Sequence, residues 1–462
     1  MTEFKDLRKK SLDNPIMTLF GILLSIGVML LFMFLLRSIG EGITNTLANF
    51  VSLVMAVIVL ANVTGLRKVM GEGIVVKVVI FALVIAGVGL LFSRYFVFHR
   101  YLEGLYGHLS HIEHDLMYNQ MQIISNRLSN GYSIAQATKD LSLNQYQNIF
   151  VYCSFMFLAG GINLTNMIVW STLHLVICAV CMALMCYQYG IADRKRLNLI
   201  FTLSLCQPLF WTVHNYNKVI VGEAFLMVGI YIYMVSFRKP WLNMLLFPVY
   251  AWLLWTMRLQ YLLVAIVLCL WCIIFSNKKA SLTIVVEVAV VLAVAVFILG
   301  TMDIGSFLQD DLNVEDYTTG SDYSLTAIPM RIVRSFLPYF PFTNLFSDDN
   351  WAFNIYCTMQ ITVNLVLWYF VFIRAIKKRR VKEVLKNPMI LACIGFFLGG
   401  LLSAIHTTYV SVGTFLLLSE LDDVPGDKVF LSSVWTYMLI MFVSVIYFAL
   451  GLAGSGASGI VI

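Results

Sequence analysis

"PIMTLFGILLSIGVMLLFMFLL", residues 15–36, contains no charged side chain. An apolar helix of roughly 20 residues, rising about 1.5 Å per residue, crosses the hydrocarbon core of a bilayer. The stretch therefore predicts a membrane span. Further apolar runs at 43–63, 74–97, 166–189, 197–214, 218–237, 241–256, 259–276, 281–301, 351–373, 388–405 and 429–452 repeat the pattern, for about twelve spans in all. Composition agrees, because 60% of the 462 residues are hydrophobic and only 12% are charged, against about 25% charged in a soluble domain. An outer-membrane barrel would show short alternating strands instead. The predicted fold class is an all-α polytopic membrane protein.

The net charge of +6 is topological information rather than a nucleic-acid signal, since the basic residues cluster in short loops beside apolar runs. "LRKK" (7–10), "LRK" (66–68), "ADRKR" (192–196), "FRK" (237–239), "NKK" (277–279) and "RAIKKRRVKEVLK" (374–386) fall on one side if the chain starts inside and crosses twelve times. That side is read as cytoplasmic, with both termini there and the plasma membrane of a bacterium as the setting. The N-terminus "MTEFKDLRKKSLDNP" carries no cleavable signal on this reading. The cysteine pair in "CLWC" (269–272) has redox spacing but lies mid-helix in lipid, where ordinary packing is the plainer explanation.

Two long segments then lie on the outer face, at about 98–165 and 302–350. Long ordered loops usually carry function. The second holds eight acids and only Arg331 and Arg334 as basic residues. The first contains "HLSHIEHDLMYNQ" (108–120) followed by "MQIISNRLSNGYS" (121–133). Ile112, Leu116, Ile123, Ile124 and Leu128 recur at roughly helical spacing, which predicts an amphipathic helix at the membrane surface. Asp115 and Tyr118 share one face of it, and "NG" (130–131) ends it. "NIFVYCSFMFLAGG" (148–161) is apolar but short, and is read as an interfacial or re-entrant helix, because a full crossing would put "ADRKR" outside.

Asp115 with Tyr118, then "ISNRLSNGYS" (124–133), then "NQYQNIFVYCSFMFLAGG" (144–161), resembles the first outer loop of GT-C fold membrane glycosyltransferases of the polyprenyl-phosphate-sugar-dependent, family-39-like kind. The resemblance extends through the next span, "ADRKR", "QPLFW" (207–211) and the outer turn "HNYNKVIVGE" (214–223), over roughly residues 75–280. Two departures stand out: Leu116 occupies the place where the family often has a second acid, and two spans precede the expected first one. The resemblance implies three regions. Residues 1–74 are a cytoplasmic tail and two extra spans, 75–280 a GT-C-like core, and 281–462 a C-terminal membrane region with the second outer loop.

It also implies a glycosyltransferase taking a sugar from a polyprenyl-phosphate donor to a cell-envelope glycan, lipid or protein acceptor. Asp115 is then the general base on the acceptor hydroxyl, or holds a divalent metal (Mg, Mn or Ca) against the donor phosphate, with Glu113 and Asp140 as its candidate helpers. A carboxylate within hydrogen-bond reach suits the first role, and a leaving phosphate needs donors or positive charge. Tyr118, Lys218, Arg258, Arg331, Arg334 and His406 are the candidate substrate and phosphate contacts. Arginine matches phosphate oxygens in bidentate fashion. His111 lies four residues before Asp115, on one helical face, and is a second candidate metal ligand. Lys218 and Glu223 bracket the outer turn and can pair with each other.

Competing readings are a polysaccharide polymerase or ligase using lipid-pyrophosphate-linked glycans, and a lipid or solute transporter or flippase. A transporter requires ionisable groups along a path through the span centres, where few are found. Internal duplication is also lacking, which weighs against an inverted-repeat carrier. No nucleic-acid partner is expected.

Overall fold

A computed structural model describes residues 15–37, 43–92, 109–141, 147–188, 218–236 and 249–254, with single positions between 257 and 446. The chain divides into two compact units, 1–205 with 209–301, and 206–208 with 302–462. All helices named below belong to the first. In the second, the described residues are single helical positions such as Thr362 and Val366, both buried. The expected spans at 197–214, 259–276 and 388–405 and the whole second outer loop lie outside the described residues.

Every described element is helical: α1 (Pro15–Arg37), α2 (Ile43–Val63), α3 (Leu66–Met70), α4 (Ile74–Phe92), α5 (Leu109–Ser129), α6 (Ile134–Ala137), α7 (Gln147–Gly160), α8 (Leu164–Gln188) and α9 (Lys218–Ser236). Three are long and apolar enough to cross a membrane, over Ile16–Arg37, Thr46–Val63 and Thr165–Leu184. This is the architecture of a helical membrane protein. The predicted spans beginning at 15, 43, 74, 166 and 218 each correspond to a helix.

Two helical faces distinguish the periphery from the centre. In α1, Thr18, Ile22, Ser25, Met29 and Met33 are buried, while Ile16, Phe20, Leu23, Leu31, Phe34 and Leu35 are exposed. The buried set repeats every three or four residues, the period of one helix face. In α4 the exposed residues Val76, Ile80, Val84 and Val88 form the outer stripe and Val78, Ala82 and Ile85 the inner one. An apolar surface on the outside of a bundle suits a lipid solvent rather than water. By contrast, α8 is buried over its whole length from Thr165 to Leu184 and packs against α2, α3, α4, α7 and α9. It is the central helix among those described in the first unit.

Side-chain bonds mark the two ends of the bundle. At the Pro15 end, the Thr18 hydroxyl meets the Tyr231 hydroxyl of α9 at 3.0 Å and donates to the Thr64 carbonyl at 3.2 Å. That joins the start of α1, the end of α2 and the last third of α9. Arg67, on α3 at this end, donates to Glu72 at 2.6 Å and to Asn62 at 3.2 Å. At the Arg37 end, the Arg37 guanidinium donates to the Leu158 carbonyl of α7 at 3.3 Å. So α1 and α4 run toward the Arg37 end, and α2 runs back. Helices α8 and α9 both run toward the Pro15 end.

The α7–α8 hairpin is closed by small residues. Gly161 takes a left-handed φ of +79°, which glycine adopts without steric cost. The Asn163 side chain accepts from the Thr165 amide at 2.9 Å, and the Asn166 side chain donates to the Gly161 carbonyl. A Cβ on Gly160 would lie 2.7 Å from Asn166 Nδ2, so only glycine lets α7 approach α8 this closely. Gly160→Ala is therefore expected to lower stability by about 1–3 kcal/mol through overpacking. Gly87→Ala on α4, where nothing lies within 4 Å of the added carbon, is expected to be neutral or up to about 1 kcal/mol stabilising. SDS or denaturant unfolding in micelles, read by circular dichroism, ranks the two.

Candidate functional site

Helix α5 has one buried face and one exposed face. Met121 and Ile124 are fully buried, with Gln120 and Ser125 nearly so, while Asn119, Asn126 and Ser129, and Asn130 just past its end, are exposed. Its buried face packs on α7. Of the predicted apolar stripe, Ile124 is buried on this face, Leu128 is half-buried and Ile123 is exposed, while the side chains of Ile112 and Leu116 lie outside the described residues. The Tyr118 ring meets Phe157 edge-on, with centroids 5.5 Å apart and planes at 73°, a favourable aromatic geometry. Burial pushes the half-buried Tyr118 phenol above its ordinary value, so it remains an O–H donor.

The helix ends where "NG" predicts. Gly131 has φ +83°. Its amide donates to the Leu128 carbonyl at 3.0 Å, and the Tyr132 amide donates to the Arg127 carbonyl at 3.1 Å. Those two bonds together are a Schellman cap. Ser133 and Gln136 then form a reciprocal capping box that starts α6. Arg127 donates to the carbonyls of Ala137 and Lys139 at 3.1 and 2.7 Å, and Gln147 donates to the Thr138 hydroxyl at 2.9 Å. The α6 turn is thereby tied to the end of α5 and to the start of α7.

These contacts set the register of α5 on α7. Tyr118 meets Phe157, while Arg127 and Gln147 reach the same α6 turn. The nine residues from Tyr118 to Arg127 match the ten from Phe157 back to Gln147, so the helices are antiparallel. Phe157 adjoins Leu158, the partner of Arg37. Tyr118 is therefore level with the Arg37 end of the bundle. Asp115, three residues earlier, stands about 4.5 Å beyond that level along the helix axis.

The seat of α7 is a buried aromatic and polar cluster. The Tyr152 hydroxyl lies 2.9 Å from His174 Nε2, and His174 Nδ1 lies 2.7 Å from the Trp170 carbonyl. A carbonyl only accepts, so Nδ1 carries the imidazole proton, Nε2 accepts, and Tyr152 donates. The Tyr152 ring also packs on Trp170 at 5.1 Å and on Phe225 of α9 at 5.1 Å. His174 is ten residues into α8, about 15 Å from its start. Sequence reasoning missed this pair. Its one signal was a lone histidine inside the apolar run "STLHLVICAVC" (171–181).

The sequence-derived candidates fall as follows. His111 and Glu113 lie on the first turns of α5, with Asp115 following and Tyr118 a turn further on. Residues two apart on a helix do not share a face, so Glu113 and Asp115 belong to different faces, whereas His111 and Asp115 share one. Lys218 is the first residue of α9. Glu223 is fully buried five residues into that helix, rather than on the bracketing turn expected for it. It interacts electrostatically with Cys178 of α8. Arg258, Arg331, Arg334 and His406 lie outside the described residues. Among the described residues no three His, Cys, Asp or Glu side chains converge to hold a metal.

No protein-family model matches this chain, no curated protein matches it in sequence, and no solved structure matches its fold.

The Tyr152–His174 bond yields a direct test. Tyr152→Phe leaves a buried imidazole nitrogen without its donor and is expected to cost about 1–3 kcal/mol. Replacing both partners, in Tyr152→Phe with His174→Phe, is expected to recover part of that loss, since no orphaned acceptor remains. Unfolding midpoints of the two single variants and the double variant in detergent measure the coupling.

Proposed function

We propose that this chain is a membrane glycosyltransferase that transfers a sugar from a polyprenyl-phosphate donor to a cell-envelope acceptor at the extracytoplasmic face. The observation that carries the proposal is the level of Asp115, just beyond the end of the bundle at which the lipid-facing residues of α1 stop, Leu35 being the last. A polyprenyl donor buries its chain in lipid and presents its phosphate-linked sugar at that height. The Pro15 end carries Arg67 and Lys68, which favours the cytoplasmic side for it and the outside for α5. On this reading the full chain crosses about twelve times, as its apolar runs imply, and both termini are cytoplasmic.

In the proposed reaction the Asp115 carboxylate accepts the proton of the acceptor hydroxyl. The freed oxygen attacks the anomeric carbon, the bond from that carbon to the phosphate oxygen breaks, and polyprenyl phosphate leaves. Tyr118, one turn along the same face and neutral, donates a hydrogen bond to the sugar or phosphate. Lys218, Arg258, Arg331, Arg334 and His406 are the proposed phosphate contacts. Asp115 would hold a divalent ion (Mg, Mn or Ca), and His111, four residues earlier on α5, would join it as a ligand where that ion is manganese; when bound the ion would supply positive charge beside the donor phosphate.

A transporter is the second reading, favoured by one observation. Glu223 and His174 are ionisable groups buried inside the bundle, where such groups often mark a substrate or proton path. Radiolabelled polyprenyl-phosphate sugars offered to the purified protein separate the two. The glycosyltransferase reading expects a lipid-free or acceptor-linked labelled sugar, and Asp115→Asn is expected to lower that rate by about 10²-fold or more. Full activity in Asp115→Asn removes that residue from the mechanism. Label that crosses vesicles unchanged, with no cleavage, supports transport instead.

A further inference from the structure

We propose that a water-filled recess enters the membrane from the Arg37 side to about half its depth, walled by the end of α5 and the α6 turn. The argument begins with a ruler along α7. Leu158 is held at Arg37. From there α7 descends beside α1 and α8, because Tyr152 bonds His174, ten residues into α8. Gln147 is five residues further down. The α6 turn, bonded to Gln147 through Thr138, therefore lies about 15 Å below the Arg37 level, near the middle of a roughly 30 Å hydrocarbon core. Lipid-facing residues of α1 continue up to Leu35, so the hydrocarbon reaches well above that turn.

What sits at this depth is open and mostly hydrophilic, with Tyr132 and Ile134 the apolar side chains exposed beside it. Asn126, Ser129, Asn130, Gln136, Lys139 and Asp140 are all exposed. Residues 130–133 and 138–141 are not helical. Non-helical backbone at membrane depth must be buried in protein or line water, because lipid offers its amides and carbonyls no partner. These residues are exposed, so water is the remaining solvent. Charged side chains such as Lys139 and Asp140 impose the same condition. The recess takes water and small hydrophilic solutes, and its existence does not depend on the proposed transfer chemistry.

Nitroxide labels read it directly. The full chain carrying Asn130→Cys, Gln136→Cys, Lys139→Cys or, as the lipid reference, Leu31→Cys is labelled and reconstituted in vesicles. The wild-type chain, labelled in parallel, supplies the native-cysteine background. Collision rates are then measured with oxygen, which partitions into lipid, and with a water-soluble nickel chelate. The expected result is a nickel-to-oxygen ratio above one at 130, 136 and 139 and below one at 31. Oxygen-dominated collisions at the three sites overturn the recess, and so do low rates with both reagents, which mean burial in protein. A nickel-dominated signal at position 31 overturns it as well, since the hydrocarbon boundary would then lie below that level.

Discussion

The hydrogen bond from Tyr152 to His174 helps to fix the depth of α7 and, through it, of α5 and the α6 turn. It seats α7 against α8, and through the Tyr152 ring against α9. Helix α5 packs on α7, and the α6 turn hangs from both. The position of the polar helix thus depends on one buried phenol and one imidazole whose tautomer is set by the Trp170 carbonyl. A neutral histidine is the form that the site accommodates, because its single N–H already has an acceptor and its other nitrogen has a donor. Replacing either partner alone would strand the other in an apolar surround, where an unmade hydrogen bond costs most.

The constraint imposed by lipid explains why so much of the fold was readable. A helix that crosses a bilayer must be apolar over its full length, and such runs announce themselves without any tertiary information. The helices that begin at 15, 43 and 164 are long and apolar enough to cross, and those at 74 and 218 fall where further apolar runs predict a helix. Their order of burial did not follow from that rule. "LTNMIVWSTLHLVICAVCMALMCYQ" and "PIMTLFGILLSIGVMLLFMFLLR" both read as spans, yet the first is enclosed and the second faces outward along one side. Lipid is as apolar as a protein interior, so an apolar run alone does not say which solvent receives it. The feature that does differ is polar content, since Asn166, Ser171, Thr172 and His174 are all buried in the enclosed helix, where protein rather than lipid can partner them.

Polar features were legible where backbone chemistry dictated them. "NG" at 130–131 ends α5 because only glycine enters the left-handed region cheaply, and Ser133 with Gln136 opens α6 for the reason any capping box does. Burial of polar side chains was not legible. Glu223 follows "HNYN" by a few residues, so a linear reading puts it in a turn, whereas α9 begins at Lys218 and carries it into the core. His174 likewise has no neighbour in sequence that announces its partner, because Tyr152 is 22 residues away. Candidates drawn from the later chain, Arg258, Arg331, Arg334 and His406, rest on sequence and resemblance.

The amphipathic pattern of α5 ties fold to function. A stripe at helical spacing says that one face avoids water, without saying whether lipid or protein receives it. Here Met121 and Ile124 face α7, so α5 stands along the bundle instead of lying flat on the membrane. A flat helix would hold all of its polar residues at one height. A standing helix distributes them, with His111, Glu113 and Asp115 beyond the Arg37 level and Asn126 to Asn130 below it. One element can then offer a carboxylate at headgroup height and a hydrophilic wall beneath. Part of the polar lower half of α5 is partnered by protein, as Arg127 is by the Ala137 and Lys139 carbonyls, and the exposed part is what the proposed recess would hydrate.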